Sequence, residues 1–139
     1  MKEYNIDRIR NVVLLSHGGT GKTSLAEAML YRTGAIKRLG KVDEGTTVSD
    51  YDPEEIRRRI SVNTSLIPCE WRDHKINVLD TPGYADFVGE MKGATRVADG
   101  CIILVDATSG VEVGTELVWK YADERDLHRL VFVNKMDRD

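Results

Sequence analysis

The stretch "LLSHGGTGKTSLAEAML", residues 14–30, passes from an apolar run through three glycines into a helical pattern, with a lysine and a hydroxyl side by side at the junction. A strand that ends in such a loop and feeds a helix is the context of a phosphate-binding loop. The glycines let the backbone curl so that several N–H groups converge on one anion, and the helix N-terminus adds its positive end. On this reading Ser16, His17, Gly18, Gly19, Thr20 and Gly21 form the cradle, and Lys22 reaches the β- and γ-phosphates. The Thr23 hydroxyl ligates Mg²⁺, with Ser24 completing the contact set. The usual pattern is G-x-x-x-x-G-K-[ST]. Ser16 stands in its first glycine position, a mild departure because only the later part of the loop must approach the phosphates closely. Taken alone, the stretch also reads as a glycine-rich turn with an incidental Lys-Thr.

Two further motifs at sensible distances favour the phosphate reading. In "INVLDTPGY", residues 76–84, an aspartate ends an apolar strand, so Asp80 is placed to hold the magnesium through a water, and the Gly83 N–H lies where a γ-phosphate could accept from it. The alternative for Asp80 is a helix N-cap. In "VNKMD", residues 133–137, Asp137 can accept two N–H bonds from the guanine edge, Asn134 braces the loop and base, and the Lys135 stem covers the base face. An adenine would leave the Asp137 carboxylate unpaired, a loss on the order of 2–3 kcal/mol. A short tetrapeptide has little weight alone, but in third place after a phosphate loop and a DTPG it points to GTP and GDP.

The same apolar runs define the fold. "NVVLLSH" (11–17), "INVLDT" (76–81), "CIILVDA" (101–107) and "RLVFVNK" (129–135) are short and do not alternate, as strands buried on both faces do not. Helical spacings of three or four mark Leu25 and Met29, then Phe87, Met91, Ala94 and Ala98, then Val113, Leu117 and Tyr121, with Gly34 as a stop for the first helix. The expected fold is α/β: a mostly parallel sheet with helices on both faces and ligand beyond the carboxyl ends of the strands. "VNTSLIPCEW" (62–71), separated from the next strand only by the turn-like "RDH", should form an antiparallel hairpin at one edge. Residues 35–63 carry no strong periodicity, and so long a connection is usually functional or disordered. Within it "DPEEIRRR" reads as a solvated helix with pairs Glu54–Arg58 and Glu55–Arg59, or else as a contact surface.

With 139 residues, 41% hydrophobic and 31% charged, the chain is sized for one globular domain over residues 1–139. No window approaches the roughly 18 apolar residues of a membrane span, and the N-terminus lacks a signal-peptide core, so a cytoplasmic monomer with no membrane partner is expected. Cys69 and Cys101, each inside an apolar run, read as reduced buried thiols. A net charge of −3 gives no global electrostatic case for sequence-specific nucleic-acid binding by this chain.

Taken together, "LDTPGYADFVGEMKGATRVADG" (79–100), "GVEVGTELVWKYA" (110–122) and "FVNKMDRD" (132–139) make the chain resemble the GTP-binding domain of translational GTPases, most closely elongation factor G and its bacterial paralogues, from Arg8 onward. The resemblance implies a Ras-like P-loop fold, GTP with Mg²⁺, a first switch up to about Asn63, a second from Asp80 to about Lys92, and the ribosome as partner. These factors generally read "RGITI" at the end of the first switch. The matching "RRISV" (58–62) puts Ser61 toward magnesium and γ-phosphate. They also usually read "DTPGH", with the histidine orienting the attacking water. Here Tyr84 stands there, completing with Gly83 and Lys22 the residues nearest the chemistry, and a phenol of pKa near 10 cannot act as imidazole does. Gly19 replaces a common acidic residue, and with Tyr84 resembles the paralogues more than the main translocase.

The family's guanine site is closed by a later loop, commonly with a Ser-Ala pair. The resemblance therefore implies that this is the N-terminal portion of a G domain, incomplete at its C-terminus and a weak nucleotide binder alone. Three functional readings follow: a ribosome-acting GTPase, a GTP/GDP-state switch with slow hydrolysis, and an ATP-using P-loop protein, the last opposed by "NKMD".

Overall fold

In a computed structural model describing residues 2–49, 52–58 and 60–138, the apolar runs become five strands. They are β1 Ile9–Ser16, β2 Ser65–Trp71, β3 His74–Asp80, β4 Gly100–Asp106 and β5 His128–Asn134. The sheet order is β2-β3-β1-β4-β5. β1 pairs in parallel with both β3 and β4, β4 pairs in parallel with β5, and β2 runs antiparallel to β3, as expected of the edge hairpin. Its turn is two residues long: Arg72 and Asp73 both adopt positive φ (45° and 60°), and Trp71 already faces His74. The four expected parallel strands begin one or two residues earlier than their apolar runs, at Ile9, His74, Gly100 and His128. Ladder pairing is a backbone property, so polar residues at a strand's open end join it without burying anything.

Alternation along β1 divides the core. Val13 and Leu15 pack with Met91, Ala94, Ile103, Val118, Tyr121 and Ala122 on one face, while Leu14 joins Ala26, Leu30, Ile67, Val78 and Leu104 on the other. The first face is covered by α3 (Val88–Val97) and α4 (Val113–Glu124), the second by α1 (Lys22–Arg32). Gly34 ends α1 as expected, its N–H on the Tyr31 carbonyl (3.1 Å) and the Ala35 N–H on that of Leu30 (2.9 Å), a Schellman closure. In α4 the buried stripe is Thr115, Val118, Tyr121 and Ala122, with Val113 exposed. At about 100° per residue Val113 lies across the helix from Thr115, so its apolar character does not report burial. Cys69 and Cys101 are free and buried, in opposite core clusters, and burial pushes both thiols up.

Residues 35–63 are less irregular than their composition suggests. They contain a short turn at Val42–Glu44 and the helix α2 (Pro53–Arg58). Glu54 pairs on the surface with Arg57 (2.9 Å) and with Arg58, as the solvated-helix reading expects. Glu55 does not belong to that solvated face, being buried at 1% exposure. Its Oε2 accepts the Asp52 N–H (3.2 Å) while Asp52 Oδ1 accepts that of Glu54 (2.8 Å), so "DPEE" is a capping arrangement with proline in the first helical position. The expected Glu55–Arg59 pair lies outside the described residues. No described helix is long and apolar enough to cross a membrane.

Candidate functional site

The carboxyl ends of β1, β3, β4 and β5 open onto one edge of the sheet, and there the segments after β1, β3 and β5, with parts of residues 35–63, surround a cavity of about 480 Å³. Gly19, Gly21, Lys22, Thr23 and Ser24 line it from the glycine loop, Ser61, Thr81, Gly83 and Tyr84 from the two switch-like segments, and Lys135 and Arg138 from beyond β5.

Beneath the loop lies a small polar hub. Ser16 is fully buried and its Oγ accepts from Lys22 Nζ at 2.7 Å, with the Thr20 hydroxyl 2.5 Å away. The serine in the first glycine position thus gives the lysine a partner within the loop. Lys22 is itself only 6% exposed. Burial lowers its pKa to about 8, against an opposing pull from the Asp80 carboxylate. A buried ammonium hydrogen-bonded to a neutral hydroxyl has N–H groups to offer an anion. His17, by contrast, turns away from the cavity, its Nε2 3.6 Å from Glu112 Oε1 at the start of α4.

The three residues expected around magnesium come together from three elements. Thr23 Oγ1 donates to Asp80 Oδ2 at 2.9 Å and lies 3.1 Å from Ser61 Oγ. Among the described residues no group of three His, Cys, Asp or Glu side chains gathers, so the oxygens brought together here are two hydroxyls and a single carboxylate. Hard oxygens with so little charge suit an ion that keeps waters and binds phosphate oxygens, which is how Mg²⁺ behaves. Asp80 ends β3, and its bond to Thr23 in α1 argues against the simple N-cap alternative.

On the other side, the loop after β5 clasps the glycine loop. Asn134 Nδ2 donates to the Thr20 carbonyl (2.8 Å) and Lys135 Nζ to that of Gly19 (2.7 Å). Gly21 is required twice over: its φ is +98°, and a Cβ there would stand 2.5 Å from Asn134 Nδ2. Lys135 also donates to Asp106 Oδ2 at 2.6 Å. That bond, with two from Thr108, holds the Asp106 carboxyl well below the usual carboxylate range. Asp137 is exposed and does not itself line the cavity, although Lys135 and Arg138 do.

Tyr84 and Gly83 close the end of the cavity beside Lys22. A Cβ on Gly83 would lie 2.4 Å from Lys22 Nζ and 2.8 Å from the Gly18 Cα, and one on Gly18 would lie 2.7 Å from the Tyr84 ring. The phenol ring therefore rests on the glycine loop, 40% exposed, in space that any side chain at Gly18 would take. Sequence reasoning missed Asp106, Thr81, and the buried carboxylates Glu27 and Glu55. A signal existed for two of them: Glu27 shares the helix face of Thr23 and Leu30, and Glu55 sits three residues after an N-cap aspartate.

The family model for the elongation factor Tu GTP binding domain matches residues 7–139. Ribosome-releasing factor 2, mitochondrial, of Scheffersomyces stipitis is 46% identical over 138 residues, 99% of this chain and 16% of that protein. Elongation factor G 2 of Streptomyces coelicolor is 43% identical over 138 residues, 99% of this chain and 20% of its own length. The chain thus spans a sixth to a fifth of these relatives. A crystal structure from Thermus thermophilus superposes with a TM-score of 0.92 at 48% identity, over 95% of this chain and 20% of that one. The elongation factor SelB of Methanococcus maripaludis, solved with the GTP analogue GppNHp, gives 0.73 at 19% identity over the whole of this chain and 24% of that one, a likeness of fold.

Proposed function

The chain belongs to the family of the elongation factor Tu GTP binding domain, and from that premise we propose that it binds GTP and GDP with Mg²⁺ and hydrolyses GTP for an elongation factor G-like translation factor acting on the ribosome. The observation that carries the reading is the convergence of Lys22, the Thr23–Asp80–Ser61 cluster and the Asn134–Lys135 clasp on one cavity. The ribosomal setting comes from the names of the relatives, as does the choice of guanine from their family. A cytoplasmic setting belongs to the same proposal, although the yeast relatives are named mitochondrial factors.

In this reading water attacks the γ-phosphorus as its bond to the β–γ bridging oxygen breaks, leaving GDP and inorganic phosphate. Lys22 compensates the charge on the β- and γ-oxygens, and the backbone N–H groups of the loop hold them in line. Thr23, Ser61 and Asp80 would hold the magnesium, which when bound neutralises charge across the β- and γ-phosphates. Tyr84, its ring against Gly18 in the cavity wall, is the side chain this reading assigns to orienting the attacking water.

Base recognition tests the proposal. Replacing Asp137 with asparagine exchanges an acceptor oxygen for a donor, so competition binding should show preference moving from GDP toward XDP, by roughly 30-fold or more for about 2 kcal/mol of lost pairing. Unchanged preference, or ADP competing as well as GDP, would remove the guanine assignment and revive the ATP-using alternative.

Lys22 adds a pH signature. In the free protein it loses its proton near pH 8. Bound phosphates raise that pKa again, so binding takes up a proton wherever free Lys22 is neutral. Affinity should therefore be flat below about pH 8 and decline above it, by up to tenfold per pH unit. A titration series at fixed ionic strength checks this, and a flat profile to pH 9.5 would mean that Lys22 does not face the phosphates.

A further inference from the structure

Two carboxylates that the phosphate and cation chemistry leaves unused are buried, and both hold backbone of the segment 35–63. The first is Glu27 on α1, fully buried on the helix whose first turn carries Lys22 and Thr23. Its Oε1 accepts the Val48 N–H at 2.5 Å and its Oε2 the Gly40 N–H at 3.2 Å. Between these points the chain closes on itself. The Lys41 carbonyl accepts from the N–H groups of Glu44 and Thr46, each at 3.2 Å, and the Lys41 N–H goes to Thr46 Oγ1 at 3.0 Å. Residues 40–48 are thus a closed loop moored at both ends to one carboxylate. Leu39, Gly40, Lys41, Val42 and Asp43 of its near arm form a wall of the cavity. The mooring is tight: a Cβ on Gly40 would stand 2.4 Å from the Thr46 carbonyl oxygen and 2.8 Å from Glu27 Oε2. The second carboxylate, Glu55, does the same for the far arm, its Oε1 accepting the N–H groups of Val62 (2.9 Å) and Asn63 (3.1 Å), directly after Ser61.

We infer that Glu27 is a positioning residue for nucleotide retention, tying the 39–43 wall of the cavity to the helix that carries the phosphate-binding lysine and threonine. The inference rests on the nucleotide reading above and adds to it a determinant of how long the nucleotide stays. With wall and cradle moored to one helix, a bound nucleotide leaves only when the wall lifts, and lifting it breaks both bonds to Glu27. Among variants of one site association varies far less than release, so entry is little affected. Glu27 touches no nucleotide itself. It acts through Gly40 and its neighbours.

The test is stopped-flow kinetics of ribose-labelled methylanthraniloyl-GDP on the intact protein. Glu27→Gln keeps the side chain's size but turns an amide N–H₂ against one of the two backbone N–H groups. Release should speed up about tenfold, the loss of one charge-assisted bond, with association changed less than about twofold. Gly40→Ala reaches the same wall by steric pressure and should have the same signature. Because both act through one mooring, the double variant should release no faster than the faster single one. Circular dichroism and thermal midpoints report whether each variant is folded, and the split between release and association separates positioning from general loosening. If the parent binds labelled GDP and both single variants release it at the parental rate, Glu27 has no such role. Additive acceleration in the double variant would overturn the shared mooring. A parent that binds no guanine nucleotide would remove the nucleotide reading, and this inference with it.

Discussion

Lys22→Ala is expected to weaken GDP binding by roughly thirtyfold to several thousandfold, the span of about 2–5 kcal/mol for truncating one partner of a buried, hydrogen-bonded charge pair. The size follows from where the lysine sits. It is 6% exposed, with Ser16 Oγ as its hydrogen-bond partner at 2.7 Å and Gly83 pressed against its ammonium. Lys135, the lysine across the loop from it, is committed to Gly19 and Asp106. Folding should not suffer, because burial lowers the Lys22 pKa and so opposes its charged form in the free protein. Between pH 8 and its unfolded value near 10.5 the unfolded chain binds the extra proton, so this group makes the fold more stable as pH rises through that window. Lys22→Ala should erase that trend together with the pH dependence of binding. Isothermal titration and thermal melts at pH 7 and 9.5 measure both, and parental GDP affinity in the variant would sink the phosphate-loop assignment.

The glycine loop, the strands and the hairpin were legible in the sequence because each is decided locally. A run of β-branched and leucine residues reports burial on both faces, and a G-K-T after it reports a turn that must expose its N–H groups. The same logic explains the misses. Val113 is apolar yet exposed, because helical phase and not side-chain type sets which way it faces. Glu55 lies in a run of charges that reads as solvated, and its burial depends on Val62 and Asn63 returning to it, a contact that no local pattern reports. Glu27 is of the same kind, its partners being backbone N–H groups brought in by tertiary structure, and so is the Lys135 contact of Asp106, whose other partner, Thr108, is local. Motif spacing names Lys22, Thr23, Asp80, Asn134 and Lys135, the resemblance names Ser61, and the structure brings these six to one cavity, its loop or one another.

Tyr84→His in the full-length protein is expected to raise ribosome-stimulated GTP hydrolysis by roughly 10²-fold or more, since a well-placed acid–base group contributes about 10²–10⁴-fold, while leaving GTP affinity nearly unchanged. The phenol shares the cavity wall with Gly83 and Lys22, and its ring rests on Gly18, so it can orient a water there. A phenol hydroxyl donates a hydrogen bond to such a water without the general-base action of an imidazole. Intrinsic turnover of the parent should accordingly be slow, which is what favours a nucleotide-state switch as the second reading of this domain. Gly18→Ala separates the ring's position from its chemistry. A Cβ there would stand 2.7 Å from the ring and push it off the loop without removing the hydroxyl. If Tyr84 orients water, that variant should hydrolyse more slowly than the parent, yet lose less when combined with Tyr84→His, because the shorter imidazole lacks the Cζ that a Cβ on Gly18 would meet at 2.7 Å. Single-turnover hydrolysis with and without ribosomes reads all four proteins. A Tyr84→His protein slower than its parent would mean that the tyrosine is itself the group this site is built around, and the slow-switch reading would lose its support.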